Sequence, residues 1–117
     1  FINGDNIAIT NTGHAITIGT AKNVSFDKVT VGGMTLDKNG ILSGISSITG
    51  SGTGAPTMTF NSQNGNTPAN VSINSNLDMG GHRITGVGPA EKPTDAVNKQ
   101  QDNTQAKRAL MQLHWQH

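Results

Sequence analysis

The sequence of 117 residues contains no cysteine and no tyrosine, and aromatic residues make up only 3% of it. Without cysteine, neither a disulfide nor a thiolate metal site can form. Hydrophobic residues account for 32% of the chain, and they include only three Phe and one Trp. A domain this small with so few large side chains builds a weak core on its own. The chain is therefore either partly disordered or dependent on other chains to complete its core.

Charged residues are also scarce, at 13% of the chain, and the net charge is +1 at pH 7. Repulsion between like charges therefore does not hold the chain open, which argues against disorder. The near-neutral balance and the absence of a basic cluster give no case for a nucleic-acid partner. No apolar run is long enough to span a membrane, so we expect no membrane contact by this segment. Because the chain starts in mid-pattern at Phe1, we expect it to be part of a longer protein.

The first two thirds of the sequence contain short segments in which apolar residues alternate, a pattern typical of β-strands. The alternating pairs are Ile7/Ile9, Ile16/Ile18, Val24/Phe26, Val29/Val31, Met34/Leu36, Met58/Phe60 and Val71/Ile73. Turns are indicated at Gly13, Gly32-Gly33 and Asn39-Gly40. Each strand has only one modest apolar face, and small sheets of this kind are marginal alone. Three copies that share one core around a common axis would supply the missing burial.

Two segments between these strands carry a weaker signal. Residues 41–57 are rich in Gly, Ser and Thr, and their pattern leaves a short helix and a turn or loop both open. Residues 62–70 are predicted to form an exposed loop.

The sequence changes character at Thr94, after which it has neither Gly nor Pro and is rich in good helix formers. We predict a helix here, with Thr94 or Asp95 as its N-cap. A heptad frame places Ala96, Asn103, Leu110 and His117 at a positions, and Lys99, Ala106 and Leu113 at d positions. Polar residues at such positions weaken a coiled coil but fix its register and strand number. The alternative is a surface helix on a globular domain, for which no apolar partner face is visible.

Residues 80–101, GGHRITGVGPAEKPTDAVNKQQ, resemble the neck region of trimeric autotransporter adhesins. In that family a GG-x-(K/R)-I-T-N-V strand leads through a linker to D-A-V-N-x-x-Q-L, where a coiled coil begins. The matching residues are Gly80, Gly81, Arg83, Ile84, Thr85, Val87, Asp95, Ala96, Val97, Asn98 and Gln101. Residues 29–41, VTVGGMTLDKNGI, are similar to the segment that precedes such necks. Gly86 departs from the family's Asn, and Asp102 from its Leu.

The resemblance implies a mainly β fold with a C-terminal α-helix, arranged as an intertwined homotrimer. A β-rich head segment (1–79) would pass through a neck (80–95) into the start of a short trimeric coiled-coil stalk (96–117). The fibre would stand on the cell surface of a Gram-negative bacterium, anchored in the outer membrane through a C-terminal region that this sequence lacks. Its function would be adhesion to a host surface, an extracellular-matrix component or an abiotic surface. Adhesion of this kind contributes to virulence.

A bacteriophage tail fibre, which binds a receptor and is also a β-rich homotrimer, is the alternative. Met79 and Lys99 match the version of the motif that such fibres carry. Residues 29–41 favour the adhesin.

The resemblance and the heptad frame together give the expected interface residues. They are Ile84, Val87, Asp95, Ala96 and Val97 in the neck or directly after it, and Leu110 and Leu113 further along the helix. Three copies of Asn103 would meet at the axis and bind an anion or an ordered water, unless this side chain turns outward.

We expect no enzymatic activity and no cofactor, because the carboxylates are dispersed and no phosphate-loop pattern follows either Gly pair. His114 and His117 have a spacing found in metal sites. No further ligand lies near them in the sequence, so we predict no metal site.

Overall fold

The computed structural model describes residues 1–116, and the chain divides into two compact units, Phe1–Asn76 and Leu77–His117. The first unit contains three small antiparallel sheets, and the second contains one helix. The elements are β1 (Ile7–Thr12), β2 (Ala15–Thr20), β3 (Lys28–Val31), β4 (Met34–Asp37), β5 (Leu42–Ser43), β6 (Ser47–Thr49), β7 (Thr57–Asn61), β8 (Asn70–Ile73) and α1 (Lys99–Gln116). The predicted class, mainly β with a C-terminal helix, is confirmed.

The first sheet is the hairpin of β1 and β2, as the alternating isoleucines predict. Thr12 pairs with Ala15 across a two-residue turn, and Gly13 in that turn has a φ of 59°. Ile9 lies opposite Ile18. Since alternate residues of a strand share a face, the isoleucines of both strands lie on one side of the hairpin.

The second sheet has the order β3-β4-β5, and both of its turns were predicted. Gly32 and Gly33 connect Val31 to its partner Met34. The second turn is closed by the Asp37 carboxylate, whose Oδ1 accepts hydrogen bonds from the backbone N–H groups of Asn39 (2.9 Å) and Ile41 (3.2 Å). The central Leu36 pairs with Val29 on one side and Leu42 on the other, which gives this sheet one apolar face.

The third sheet has the order β6-β7-β8 and carries its apolar residues in cross-strand rows. Met58 lies between Ile48 and Ile73, and Phe60 lies opposite Val71. The intervening positions are polar, and the hydroxyls of Thr49 and Thr57 are 3.0 Å apart. Residues 41–57 therefore contribute the strands β5 and β6 rather than a helix. Residues 62–69 form a loop, as predicted, although Asn64 and Thr67 bridge within it.

The strand predicted around Val24 and Phe26 does not form. The side chain of Asn6 bonds to both backbone groups of the residue between them: its Nδ2 donates to the Ser25 carbonyl oxygen (2.7 Å), and its Oδ1 accepts from the Ser25 N–H (2.8 Å). A residue whose donor and acceptor are both engaged in this way has none left for a ladder. A side chain distant in sequence thus overrides the local pattern.

Two predictions for the second unit are also wrong. The strand that the resemblance implies at residues 80–87 does not form, because no segment pairs with it and Gly86, with a φ of 73°, interrupts an extended path. The helix begins at Lys99 rather than at Thr94, since Asn98 rather than Asp95 caps it. Ala96 therefore lies before the helix, and the predicted heptad frame applies only from Lys99 onward.

No side chain in the described part of the chain, residues 1–116, is buried. The accessible surface is 10814 Å², whereas a folded monomer of 12.2 kDa exposes about 6,000 Å². On all three sheets the apolar face remains largely open, with Ile18, Val31 and Val71 each more than half exposed. The single chain therefore has sheets and turns but no hydrophobic core.

Candidate functional site

Four of the five interface residues predicted in the neck or directly after it line one open hollow of about 440 Å³: Ile84, Val87, Ala96 and Val97. Gly86, Asn98 and Lys99 complete its lining. Ile84 is 66% exposed and Val97 52% exposed. Two segments, residues 84–87 and 96–99, thus form one apolar concavity in the second unit. Whether it is an interface between copies stays a prediction.

The hollow adjoins a pair of amide side chains, Asn98 and Gln101, that cap the helix. The Oδ1 of Asn98 accepts a hydrogen bond from the backbone N–H of Gln101 (2.9 Å), and the Oε1 of Gln101 accepts one from the backbone N–H of Asn98 (3.4 Å). This reciprocal arrangement is a capping box, which satisfies backbone donors that the first helical turn otherwise leaves free.

The same two amides hold the linker against the start of the helix. Gln101 accepts a hydrogen bond from the Ala90 N–H through Oε1 (2.7 Å) and donates one to the Ala90 carbonyl through Nε2 (3.2 Å). Asn98 donates through Nδ2 to the Val87 carbonyl (3.0 Å). These four residues are the only half-buried ones among residues 77–116; all others there are exposed. The amide pair is therefore the structural centre of the second unit.

The sequence interpretation matched Asn98 and Gln101 to the adhesin motif but gave them no role. The signal that would have found the role is the N-x-x-Q spacing, because an Asn followed three residues later by a Gln has the form of a capping box. That spacing also places the helix start at Lys99. The bonds to Val87 and Ala90 have no local signal, since both partners lie eleven residues away from the amides.

Replacement of Gln101 by Ala is expected to destabilise the second unit by about 1–3 kcal/mol, because it leaves the half-buried backbone groups of Ala90 without partners. Thermal unfolding followed by the helical circular-dichroism signal measures the effect. Gln105→Ala is the matched control, since Gln105 lies one turn further along the helix and makes no side-chain hydrogen bond in the described part of the chain. Equal melting temperatures for the two variants would show that the amide pair does not hold the linker.

Asp95, predicted as a helix cap and an interface residue, instead closes a turn in the linker. Its Oδ2 accepts hydrogen bonds from the backbone N–H groups of Lys92 (2.9 Å) and Glu91 (3.0 Å), and its own N–H donates to the Lys92 carbonyl (3.0 Å). The bond from Lys92 and then the bond from Glu91 hold the pKa of the Asp95 carboxyl below its usual range, with a smaller contribution from the charge of Lys92. Asp95 therefore fixes the course of the backbone directly before Ala96 and Val97, which line the hollow.

The Asp95 turn is expected to lose strength in acid. A carboxyl whose folded-state pKa is lowered stabilises the fold fully above its ordinary pKa of about 3.9, and this contribution is lost as the pH falls through the lowered value. The melting temperature of Asp95→Asn should therefore lie below that of the unmodified chain at neutral pH, and the gap should close as the pH falls through the lowered pKa of Asp95. A gap that is independent of pH would show that the charge of Asp95 does not support the turn.

The residues predicted to form the apolar seam of the stalk, Leu110 and Leu113, lie on α1, and so does Asn103. Leu110 is 67% exposed and Leu113 is 55% exposed, and Asn103 is exposed as well. His114 lies in the last turn, and His117 lies outside the described residues. Within residues 1–116 no group of three or more His, Asp or Glu side chains is placed to hold a metal ion.

The described residues include no helix with the length and hydrophobicity that a membrane crossing requires. No family model matches the chain. No curated protein matches it significantly either.

Proposed function

We propose that this chain is a segment of a homotrimeric adhesin fibre on a bacterial surface, of the trimeric autotransporter kind, and that its role is structural and adhesive rather than catalytic. The observation that carries the proposal is the absence of any buried side chain among residues 1–116. Sheets with regular ladders and well-formed turns need burial for stability, so the burial has to come from outside the chain. Identical copies supply it most simply, since symmetric homo-oligomers are the common solution.

The three sheets support assembly because each offers one apolar face. In the third sheet the row formed by Ile48, Met58 and Ile73 lies on the same side as Phe60 and Val71, while the opposite side carries hydroxyl and amide groups. A two-sided pattern of this kind is typical of a sheet with one face against a core and one against water. The accessible surface exceeds that of an ordinary monomer by roughly 5,000 Å², which is within the range of obligate interfaces.

In this proposal the neck hollow receives side chains of neighbouring copies. The amides of Asn98 and Gln101 bond to the linker and helix start of their own chain, so these contacts shape the hollow without a partner. Preorganisation of this kind reduces the ordering cost of association. Val97 and Ile84, both more than half exposed in the single chain, would then be covered by the partners.

The helix continues the assembly as a short trimeric coiled coil. Leu110 and Leu113 occupy a and d positions and would form the apolar seam with Ala106. Asn103 would place three amides at the axis, where their N–H groups bind an anion or an ordered water, because buried amides need partners. The trimer would attach to a host surface or an extracellular-matrix component through the full-length protein, and this segment would contact neither nucleic acid nor membrane.

A receptor-binding tail-fibre segment of a bacteriophage is the second candidate, supported by Met79 and Lys99. The neighbouring coding sequence separates the two. An outer-membrane β-barrel encoded downstream supports the adhesin, and a tail-attachment domain encoded upstream supports the phage fibre.

Adhesion is tested by fusing the chain to an established trimeric coiled coil and coating beads with the fusion. The beads should be retained on immobilised extracellular-matrix proteins more strongly than beads coated with the coiled coil alone. Retention on bacterial cells but not on matrix proteins would favour the phage fibre. If the beads bind neither surface more than the control, the segment is only a spacer in the fibre.

A further inference from the structure

Three Asn-Gly pairs occur in the chain, and the structure gives them different hydrogen-bond environments. They are Asn3-Gly4, Asn39-Gly40 and Asn64-Gly65. Asn-Gly is the sequence most prone to deamidation, because glycine leaves its backbone nitrogen open to approach by the Asn side chain. The reaction requires that nitrogen to lose its proton and to be free to attack. A hydrogen bond donated by the glycine N–H therefore protects the pair.

In the second sheet, the pair Asn39-Gly40 is protected in this way. The Gly40 N–H donates to the Asp37 carbonyl (3.0 Å). The Asn39 N–H donates to the Asp37 carboxylate (2.9 Å), which places a negative charge close to the nitrogen that would have to lose its proton. Both features oppose the reaction.

In the loop between β7 and β8, the pair Asn64-Gly65 lacks this protection. The backbone N–H and carbonyl of Asn64 bridge to Thr67 at 3.0 and 2.9 Å, but within residues 1–116 the Gly65 N–H donates to no protein acceptor and the Asn64 side chain makes no hydrogen bond. Gly65 has a φ of 57°, and both residues are exposed. No charged residue lies in the loop between the two strands.

We infer that Asn64-Gly65 is a modification site of the folded sheets, where Asn64 converts to a carboxylate by spontaneous deamidation. Water or hydroxide takes the proton from the Gly65 nitrogen, which attacks Cγ of Asn64. The Cγ–Nδ2 bond breaks and ammonia leaves, which gives a five-membered cyclic imide. Water then opens the ring at either carbonyl and leaves aspartate or an isoaspartyl linkage.

The conversion changes the loop in two ways. It adds one negative charge to a chain with a net charge of +1, so each modified chain becomes neutral at pH 7. The isoaspartyl product also lengthens the backbone by one carbon between Asn64 and Gly65, which displaces the bridge to Thr67. An exposed neutral loop thus becomes an acidic one.

The test follows all three pairs in one sample of the intact chain held in mildly alkaline buffer, by proteolysis and mass spectrometry over time. We expect Asn64 to convert roughly three- to tenfold faster than Asn39, the effect of one net hydrogen bond. In denaturant the two rates should become equal, because both are Asn-Gly pairs without structure. Asn3 provides a reference for an unprotected pair within the same chain, because the Gly4 N–H donates no hydrogen bond in the described residues.

Two results would overturn the inference. One is conversion of Asn39 at a rate equal to or above that of Asn64 in the folded chain. The other is a ratio of rates that denaturant leaves unchanged, since the difference would then come from local sequence rather than from the hydrogen bonds. Asp37→Ala adds a check on the cause, because removal of the carboxylate that braces the turn should raise the rate at Asn39 towards that at Asn64.

Discussion

Val97→Asp is expected to abolish assembly of the chain. Val97 lines the neck hollow beside Ile84 and Val87, and in a trimer three aspartates would be enclosed in one layer without partners. Desolvation of an unpaired charge costs several kcal/mol per ion, so three in one layer would cost about as much as the whole stability of a small fold. Sedimentation velocity should show the variant as a slower species than the unmodified chain at the same concentration, and its melting temperature should fall sharply.

Val97→Thr is the matched control, because threonine has nearly the shape of valine and carries no charge. It should retain assembly and lose only part of the stability. In the single chain Val97 is 52% exposed, and a substitution at a position that stays this exposed usually changes stability by less than about 0.5 kcal/mol. If Val97→Asp melts and sediments like the unmodified chain, the hollow is open to solvent and the proposed neck interface is wrong.

Gly44→Ala is expected to disrupt the second sheet. Gly44 follows β5 with a φ of 72°, and a Cβ there would overlap the carbonyl oxygen of Gly33 and approach its carbonyl carbon to 3.0 Å. Both are backbone atoms of the β3–β4 turn, so no flexible side chain can give way. A left-handed alanine costs about 1–2 kcal/mol, and overpacking adds about 1–3 kcal/mol. The melting temperature should fall by on the order of 10 °C.

Gly54→Ala separates the overlap from the backbone conformation. Gly54 has a φ of 69°, close to that of Gly44, but a Cβ there meets nothing within 4 Å. It should therefore show only the left-handed penalty, partly offset by the reduced freedom of the unfolded chain. Equal losses in the two variants would mean that the contact between Gly44 and Gly33 is not tight in solution.

The strands were predictable where two segments of alternating apolar residues flank a sequence that favours a tight turn. The hairpins around Gly13 and around Gly32-Gly33 follow from alternating apolar residues and a tight turn, and both form. The absence of a strand at Val24 and Phe26 could not be predicted from the sequence. The hydrogen bonds that prevent it come from Asn6, which lies nineteen residues from Ser25. A strand prediction from alternating apolar residues takes no account of a hydrogen-bond partner so distant in sequence.

The candidate site was predictable in its residues but not in its construction. The motif resemblance selected Ile84, Val87, Ala96 and Val97, which the structure brings to one hollow. It assigned Asp95 to the helix cap, whereas the helix begins four residues later, at Lys99. Helix propensity gives the existence of α1 more reliably than its first residue, and here the first residue is fixed by the reciprocal hydrogen bonds between Asn98 and Gln101.

Three copies of this chain should complete one core, and sedimentation equilibrium measures their association without a label or a partner. We expect a single species of three times the chain mass of 12.2 kDa, with cooperative unfolding whose midpoint rises with protein concentration. A well-folded monomer whose mass and melting temperature do not change with concentration would rule out the homotrimer.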